Sequence, residues 1–254
     1  MLKFFRNLRR SFLENNQVGK YMKYALGEVV LVVIGILIAL QLNNLNEESK
    51  LRKEEQKLLI ALSDEMAYNQ KEIKRARGVN LNNIKGTQEL LELFLPEVYE
   101  KLTEKEVALT MAKALQFKTE FHPRFTVINS EQLNLLSNET LRNELLNLVA
   151  EFDNFEDAEQ TVTQIRWDCT EMILEQGNFK ANMNLMQDTS DLFRNSDSAF
   201  ENTTREMFKS RVFENKLTIF MAISMNSEDE FLDPLSKNFD AVQQMLEEEL
   251  KRFD

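Results

Sequence analysis

Glycine and proline are scarce in this chain. Its 254 residues include six glycines and three prolines, and residues 36–77, 124–176 and 178–233 contain neither. Turn-rich β architectures need these residues at their turns, whereas helix interiors avoid them. Val127-Ile128 is the best strand candidate, and it is too short. The sequence therefore predicts an all-α fold.

Cysteine and histidine occur once each, as Cys169 and His122. A single cysteine excludes an internal disulfide and any cysteine-based metal site, and a single histidine removes most histidine-dependent chemistry. We expect Cys169 to be a buried structural residue beside Trp167. We expect His122, which precedes Pro123 in an aromatic loop, to be a packed or exposed loop residue, although a ligand or pH-sensing role stays open.

Catalytic signatures are also missing. The sequence has no phosphate-binding loop, dinucleotide fingerprint, zinc-protease motif or nucleophile elbow. Two acidic clusters, 151–159 and 228–233, lack the glycine and the alternating ligand order of a calcium loop. We therefore expect solvated acidic faces, no metal, no cofactor and no enzyme activity.

Charge is distributed unevenly. Residues 1–24 carry six basic side chains and one acid, whereas the remaining 230 residues carry 25 basic and 41 acidic groups. The acidic part disfavours nucleic-acid binding, because like charge repels phosphate. A change of sign just before an apolar run is typical of a membrane boundary.

The apolar run covers residues 25–45, where Glu28 and Gln41 are the strongly polar members of the segment up to Leu42. Its length suits a transmembrane helix, and residues 29–40 have no polar face to turn toward water. The alternatives are a buried core helix or a cleavable signal, but no small-x-small cleavage site follows. We interpret the run as an uncleaved signal anchor in the lipid bilayer.

Orientation follows from the distribution of lysine and arginine. The basic side stays in the cytoplasm, so the N-terminus would be cytoplasmic and residues 46–254 would lie in the periplasm of a Gram-negative cell, anchored to the inner membrane. Residues 1–24 place several apolar side chains near one helical face with basic flanks. They are predicted to form an interfacial amphipathic helix, or else a simple basic leader.

A family resemblance is visible in the N-terminal block. Lys20 to Glu28 reads KYMKYALGE, and Val33 to Asn44 reads VIGILIALQLNN. Over residues 3–50 the chain resembles a Bacteroidota family of single-pass membrane proteins with a domain of unknown function, and it does so more loosely over 133–148. The resemblance implies membrane topology and helical character, and it implies no activity.

The helix that begins in the anchor is expected to continue beyond it. Leu51, Leu58, Leu62, Met66 and Ile73 recur at helical spacing, and no breaker stands between Gly35 and Gly78. One helix could therefore run from near Lys23 to near Arg77, with residues 46–78 as a stalk-like part. The stripe does not follow a strict heptad, so packing against the domain's own helices is favoured over packing against a second copy.

Start and stop signals suggest five to seven helices in one domain. Thr103-x-x-Glu106 and Ser198-x-x-Glu201 match capping boxes, and Asp233-Pro234 matches an N-cap followed by proline. A long helix is predicted from about Thr140 to Gln176, stopped by Gly177. Pro96 and residues 121–125 should end helices or open loops.

A candidate interaction face lies inside the anchor. Glu28, Val32, Gly35 and Ala39 share one side of the helix, and Gly35-x-x-x-Ala39 lets a second helix approach closely. Glu28 either lies shallow and reaches headgroup water, or faces a partner helix and pairs there, or takes up a proton.

Two functions compete at this point. The first is a membrane-anchored, non-catalytic interaction or scaffold protein, self-associating or bound to another membrane protein. The second is a periplasmic sensory or ligand-binding helical module. Because about 24 residues precede the anchor, such a module is expected to signal through a partner.

Overall fold

The computed structural model describes residues 18–115, 119–129, 131–186 and 198–253, with side chains from residue 22. Helix accounts for 85% of these residues, and they contain no strand, so the all-α prediction is confirmed. The chain divides into two compact units, Met1–Gln56 and Lys57–Asp254. The helices are α1 (Val18–Glu92), α2 (Pro96–Tyr99), α3 (Glu104–Leu115), α4 (Glu139–Gln176), α5 (Phe179–Met186), α6 (Arg211–Ser227) and α7 (Asp233–Leu250), with 3₁₀ turns at Glu131–Leu135 and Thr204–Lys209 and a π turn at Glu228–Leu232.

Helix α1 is longer than the sequence indicated. It continues through Gly78 and Gly86 and ends at Glu92 rather than near Arg77. At Gly86 a Cβ would come within 2.8 Å of the backbone nitrogen of Ala114. This glycine therefore lets α3 approach α1 closely. The amphipathic prediction for residues 1–24 falls largely on residues 1–17, which lie outside the described chain.

The buried residues of α1 recur at alternating intervals of three and four residues. Several of them are polar, so the apolar residues alone do not show this spacing. Leu58, Leu62, Met66 and Ile73 are buried as predicted, whereas Leu51 is exposed. The predicted packing of this stripe against the domain's own helices is confirmed for these buried members, which join α7 residues in one core cluster. The buried positions that follow this spacing are Leu59, Leu62, Met66, Asn69, Ile73, Ala76, Asn80, Asn83, Thr87 and Leu90, and Leu58 and Glu65 are buried beside them.

Two apolar clusters form the core of the unit Lys57–Asp254. The first joins the first part of the stripe, up to Ala76, with residues of α4 and α7 and includes Leu232 and Phe155. The second includes Leu90, Val162 and Phe220. Buried polar side chains lie between the two clusters on α1, on α4 and where α6 passes into the π turn.

The two predicted capping boxes have different outcomes. Thr103 Oγ1 accepts from Glu106 N at 3.3 Å and Thr103 N donates to Glu106 Oε2 at 2.8 Å, so the first box is confirmed. The second is wrong, since no helix begins after Ser198. Its hydroxyl oxygen instead accepts from Asn178 Nδ2 at 2.8 Å and from the backbone of Phe200.

Asp233 does not act as an N-cap, contrary to prediction. The backbone is already helical at Leu232, because α6 passes into the π turn and then into α7. Pro234 has no N–H to give to the helical ladder, and a π turn just before it accommodates that loss. The Asp233 side chain forms ion pairs with Arg77 and Lys237 instead.

The long fourth helix agrees with its signals. Asn138 Oδ1 accepts from Leu141 N at 3.0 Å to cap α4, and Gly177 N donates to Ile173 O at its end. Residues 121–125 form a loop, as expected, and Val127-Ile128 lies in or beside a turn rather than a strand.

The two glycines inside α1 give a matched pair of predictions. Gly78→Ala should raise the free energy of unfolding by about 0.5–1 kcal/mol, because alanine favours helix and a Cβ there meets nothing. Gly86→Ala should lower it by about 1–3 kcal/mol, because backbone of α3 occupies the space. Denaturant unfolding followed by circular dichroism measures both, and equal effects would contradict this description of Gly86.

Candidate functional site

Among the described residues, the exposed apolar side chains are most concentrated along the first part of α1. Fifteen large hydrophobic side chains between Met22 and Leu45 are exposed. Within the described residues, α1 is the one helix long and apolar enough to cross a membrane, and none of its most apolar window is buried. The described residues leave this segment uncovered, whereas a core helix is mostly buried by its own protein.

The predicted interaction face lies in that segment. Glu28, Val32, Gly35 and Ala39 are all exposed on α1. A Cβ added at Gly35 would meet no described atom within 4 Å. The helix brings these four residues onto one side, and the described part of the chain does not cover that side.

Cys169 lies in the second apolar cluster and is fully buried. Burial away from water raises the pKa of its thiol to about 12. A thiol with so high a pKa has almost no thiolate at neutral pH and is a poor nucleophile. The predicted buried structural cysteine is confirmed.

His122 is an exposed loop residue whose Nε2 lies 3.6 Å from Glu120 Oε2. Across the described ranges, no group of three or more His, Cys, Asp or Glu residues is arranged to hold a metal ion. The prediction of solvated acidic faces is partly wrong. Glu159 and Glu228 are buried, because both lie between the apolar clusters.

A buried polar layer separates those clusters, and it consists of residues from three helical segments. Asn80, Asn83 and Thr87 lie on α1, Glu159 lies on α4, and Ser224, Ser227 and Glu228 lie where α6 meets the π turn. Buried polar groups favour an arrangement that gives them partners, so such a layer restricts how helices can slide past one another.

Arg77 is the cation of this layer. Its Nε donates to Glu228 Oε1 at 2.8 Å, and its Nη2 lies 2.7 Å from Asp233 Oδ1. Asn80 Nδ2 donates to Glu228 Oε2 at 3.2 Å and to Ser224 O at 3.0 Å. The hydrogen bond from Lys237, and next the charge of Arg77, keep the pKa of Asp233 below its usual value.

Reasoning from the sequence missed the polar layer. The available signal was the spacing, since Asn80, Asn83 and Thr87 continue the three-four alternation of the buried stripe. A search limited to apolar residues loses the stripe after Ala76, because every buried stripe position from Asn80 to Thr87 is polar.

No protein-family model, no curated protein and no solved structure matches this chain. The structure therefore has to be interpreted from its own residues.

The ion pair between Arg77 and Glu228 should stabilise the folded state. Arg77→Met leaves the buried Glu228 carboxylate without its cation and should lower the free energy of unfolding by about 2–3 kcal/mol. The control Arg52→Met removes an exposed i,i+4 pair and should change it by at most about 0.5 kcal/mol. Denaturant unfolding in detergent micelles measures both variants.

The double variant Arg77→Met/Glu228→Leu should lose less stability than Arg77→Met alone. Replacing both charges removes the unpaired buried carboxylate, and Asn80 keeps its bond to Ser224 O. If Arg77→Met lowered the free energy of unfolding as little as Arg52→Met does, Arg77 would not be the stabilising partner of Glu228.

Proposed function

We propose that this chain is a membrane-anchored, non-catalytic interaction protein. Residues 25–45 of α1 cross the bilayer, and the chain that follows forms a helical domain. The observation that carries the proposal is the uncovered apolar surface between Met22 and Leu45.

The apolar side chains of this segment are more stable in lipid than in water. Burying one large apolar side chain is favourable by about 1.5–3 kcal/mol, so fifteen exposed ones in water cost on the order of tens of kcal/mol. That exceeds the net stability of a typical domain. A bilayer removes this cost, and the α-helix satisfies its own backbone hydrogen bonds there.

An uncleaved anchor is supported over a cleaved signal. Helix α1 continues without interruption from the apolar segment to Glu92, and its later part carries the buried stripe. The basic residues before the span favour a cytoplasmic N-terminus and a periplasmic domain on the inner membrane. The resemblance of residues 3–50 to a single-pass Bacteroidota family agrees with this topology.

Single-cysteine labelling tests the orientation, because the buried Cys169 gives little background. In spheroplasts of a Gram-negative host, Asn143→Cys should react with a membrane-impermeant maleimide, since Asn143 is exposed on α4. Ser11→Cys should react only after lysis. Wild type is the control, and the opposite pattern would reverse the proposed topology.

The partner of the span is proposed to be another membrane protein or a second copy of this chain, which meets the face of Glu28, Val32, Gly35 and Ala39. Close helix contact needs a small residue at the crossing point, and a carboxylate in the membrane needs a donor. The described residues leave this surface exposed, and a Cβ added at Gly35 would meet none of their atoms within 4 Å.

Glu28→Leu and Gly35→Ile should each leave membrane insertion intact and reduce crosslinked, co-purified partner several-fold. Gln41→Leu and Val33→Ile, which lie on other sides of the helix, are matched controls and should retain the partner. Crosslinking in native membranes followed by affinity purification gives the yield. Wild-type yields from both test variants would contradict the proposed face.

A ligand-binding sensory module is the second candidate. It is favoured by one observation, a large groove beside α4 with charged and aromatic walls.

A further inference from the structure

A groove of about 970 Å³ lies between the loop 119–129 and helix α4. This volume is in the range of small-molecule sites. The groove belongs to the unit Lys57–Asp254, so it is separate from the apolar span.

The loop wall of the groove is held in place by side chains of α1. Asn69 Nδ2 donates to Arg124 O at 2.8 Å, and Asn69 Oδ1 accepts from Arg124 N at 2.7 Å. Glu65 accepts from Val127 N at 2.9 Å. The Arg124 guanidinium lies 3.6 Å from the centre of the Tyr68 ring. Because this wall is already ordered, a ligand would not have to order it on binding.

Aromatic rings line one part of the groove. Phe121, Phe125, Phe152 and Phe155 all contribute, with the Phe121 and Phe152 ring centres 5.6 Å apart. Phe125 and Phe152 are partly exposed, as is Trp167 at the rim. These rings offer an apolar contact to a ligand side chain.

The helix wall carries opposite charges at its two ends. Glu156, Glu159, Thr163 and Arg166 lie at offsets of three, seven and ten residues, so they share one side of α4, and all line the groove. Glu159 and Arg166 are separated by about 10.5 Å along the helix axis. Taken from this backbone rise, about 2.8 Å for each charged hydrogen bond leaves about 5 Å between the ligand charges, which is between the lengths of one and two extended peptide residues.

The basic end also has two buried polar atoms for which the described part of the chain supplies no hydrogen-bond partner. Thr119 Oγ1 and Arg166 Nε have no partner among the described residues, although Arg166 Nη1 donates to Leu115 O at 3.4 Å. The Thr119 residue is 2% exposed. A buried polar atom without a partner is energetically unfavourable, and such atoms are rare unless something binds them.

We propose that this groove binds a short peptide, of dipeptide size, with an aromatic side chain. The carboxylate of the peptide pairs with Arg166 and the Thr119 hydroxyl, its ammonium group pairs with Glu159 and Glu156, and its aromatic ring packs on Phe125 and Phe152. The membrane anchor and its partner face do not enter this argument.

The single tryptophan of the chain reports on the groove directly, because Trp167 lines it. The full chain in detergent micelles is titrated with L-alanyl-L-phenylalanine while Trp167 fluorescence is recorded. We expect a saturable change. The N-acetylated dipeptide and the dipeptide amide, which each lack one charge, should bind about tenfold more weakly or worse.

Charge-matched variants connect each ligand group to its residue. Arg166→Gln should weaken dipeptide binding about tenfold and remove the preference over the amide. Glu159→Gln should remove the preference over the N-acetylated form. Arg142→Gln, on the same helix but outside the groove, should bind as wild type does. Circular dichroism confirms that each variant is folded.

Three outcomes would overturn the proposal. These are no saturable change in Trp167 fluorescence, equal binding of all three probes, and a loss of binding in Arg142→Gln as large as that in Arg166→Gln. Failure here leaves the anchoring proposal standing, because cysteine labelling tests that separately.

Discussion

The buried stripe of α1 is the constraint on which the rest of the domain depends. Its positions alternate by three and four residues from Leu59 to Leu90, and four of them are polar. Each polar group needs a partner when water is excluded. Asn69 meets this need by binding both backbone groups of Arg124, and Asn80 binds Ser224 O and Glu228. The loop and the π turn are therefore placed by hydrogen bonds as well as by apolar packing.

The polar layer also explains an irregularity that apolar packing does not. The π turn Glu228–Leu232 lies between α6 and α7, just before Pro234. It sets the Glu228 carboxylate against Arg77 while the helix passes a residue with no N–H. A change in helix register would separate the buried Glu228 carboxylate from Arg77, and an unpaired buried charge is strongly unfavourable.

Local patterns predicted the fold where local interactions decide it. Helix α4 was predicted from about Thr140 to Gln176 and extends from Glu139 to Gln176, and the Thr103 capping box forms as its sequence suggests. Ser198-x-x-Glu201 has the same pattern but no helix, because Asn178, which is distant in sequence, donates to the Ser198 hydroxyl oxygen. Arg77, Glu228 and the groove residues were not foreseen for the same reason, since their partners lie far away along the chain.

The two units differ in how their exposed apolar side chains are distributed. Within Lys57–Asp254 the large apolar side chains fill two clusters, and the exposed ones, such as Phe200 and Val212, are scattered over different elements. Scattered residues of this kind are normal on a protein surface in water. Between Met22 and Leu45 the exposed residues are instead continuous. The one described helix segment that is long and apolar enough to cross a membrane thus begins in the first unit, and the buried apolar side chains of the second unit are gathered in its two clusters.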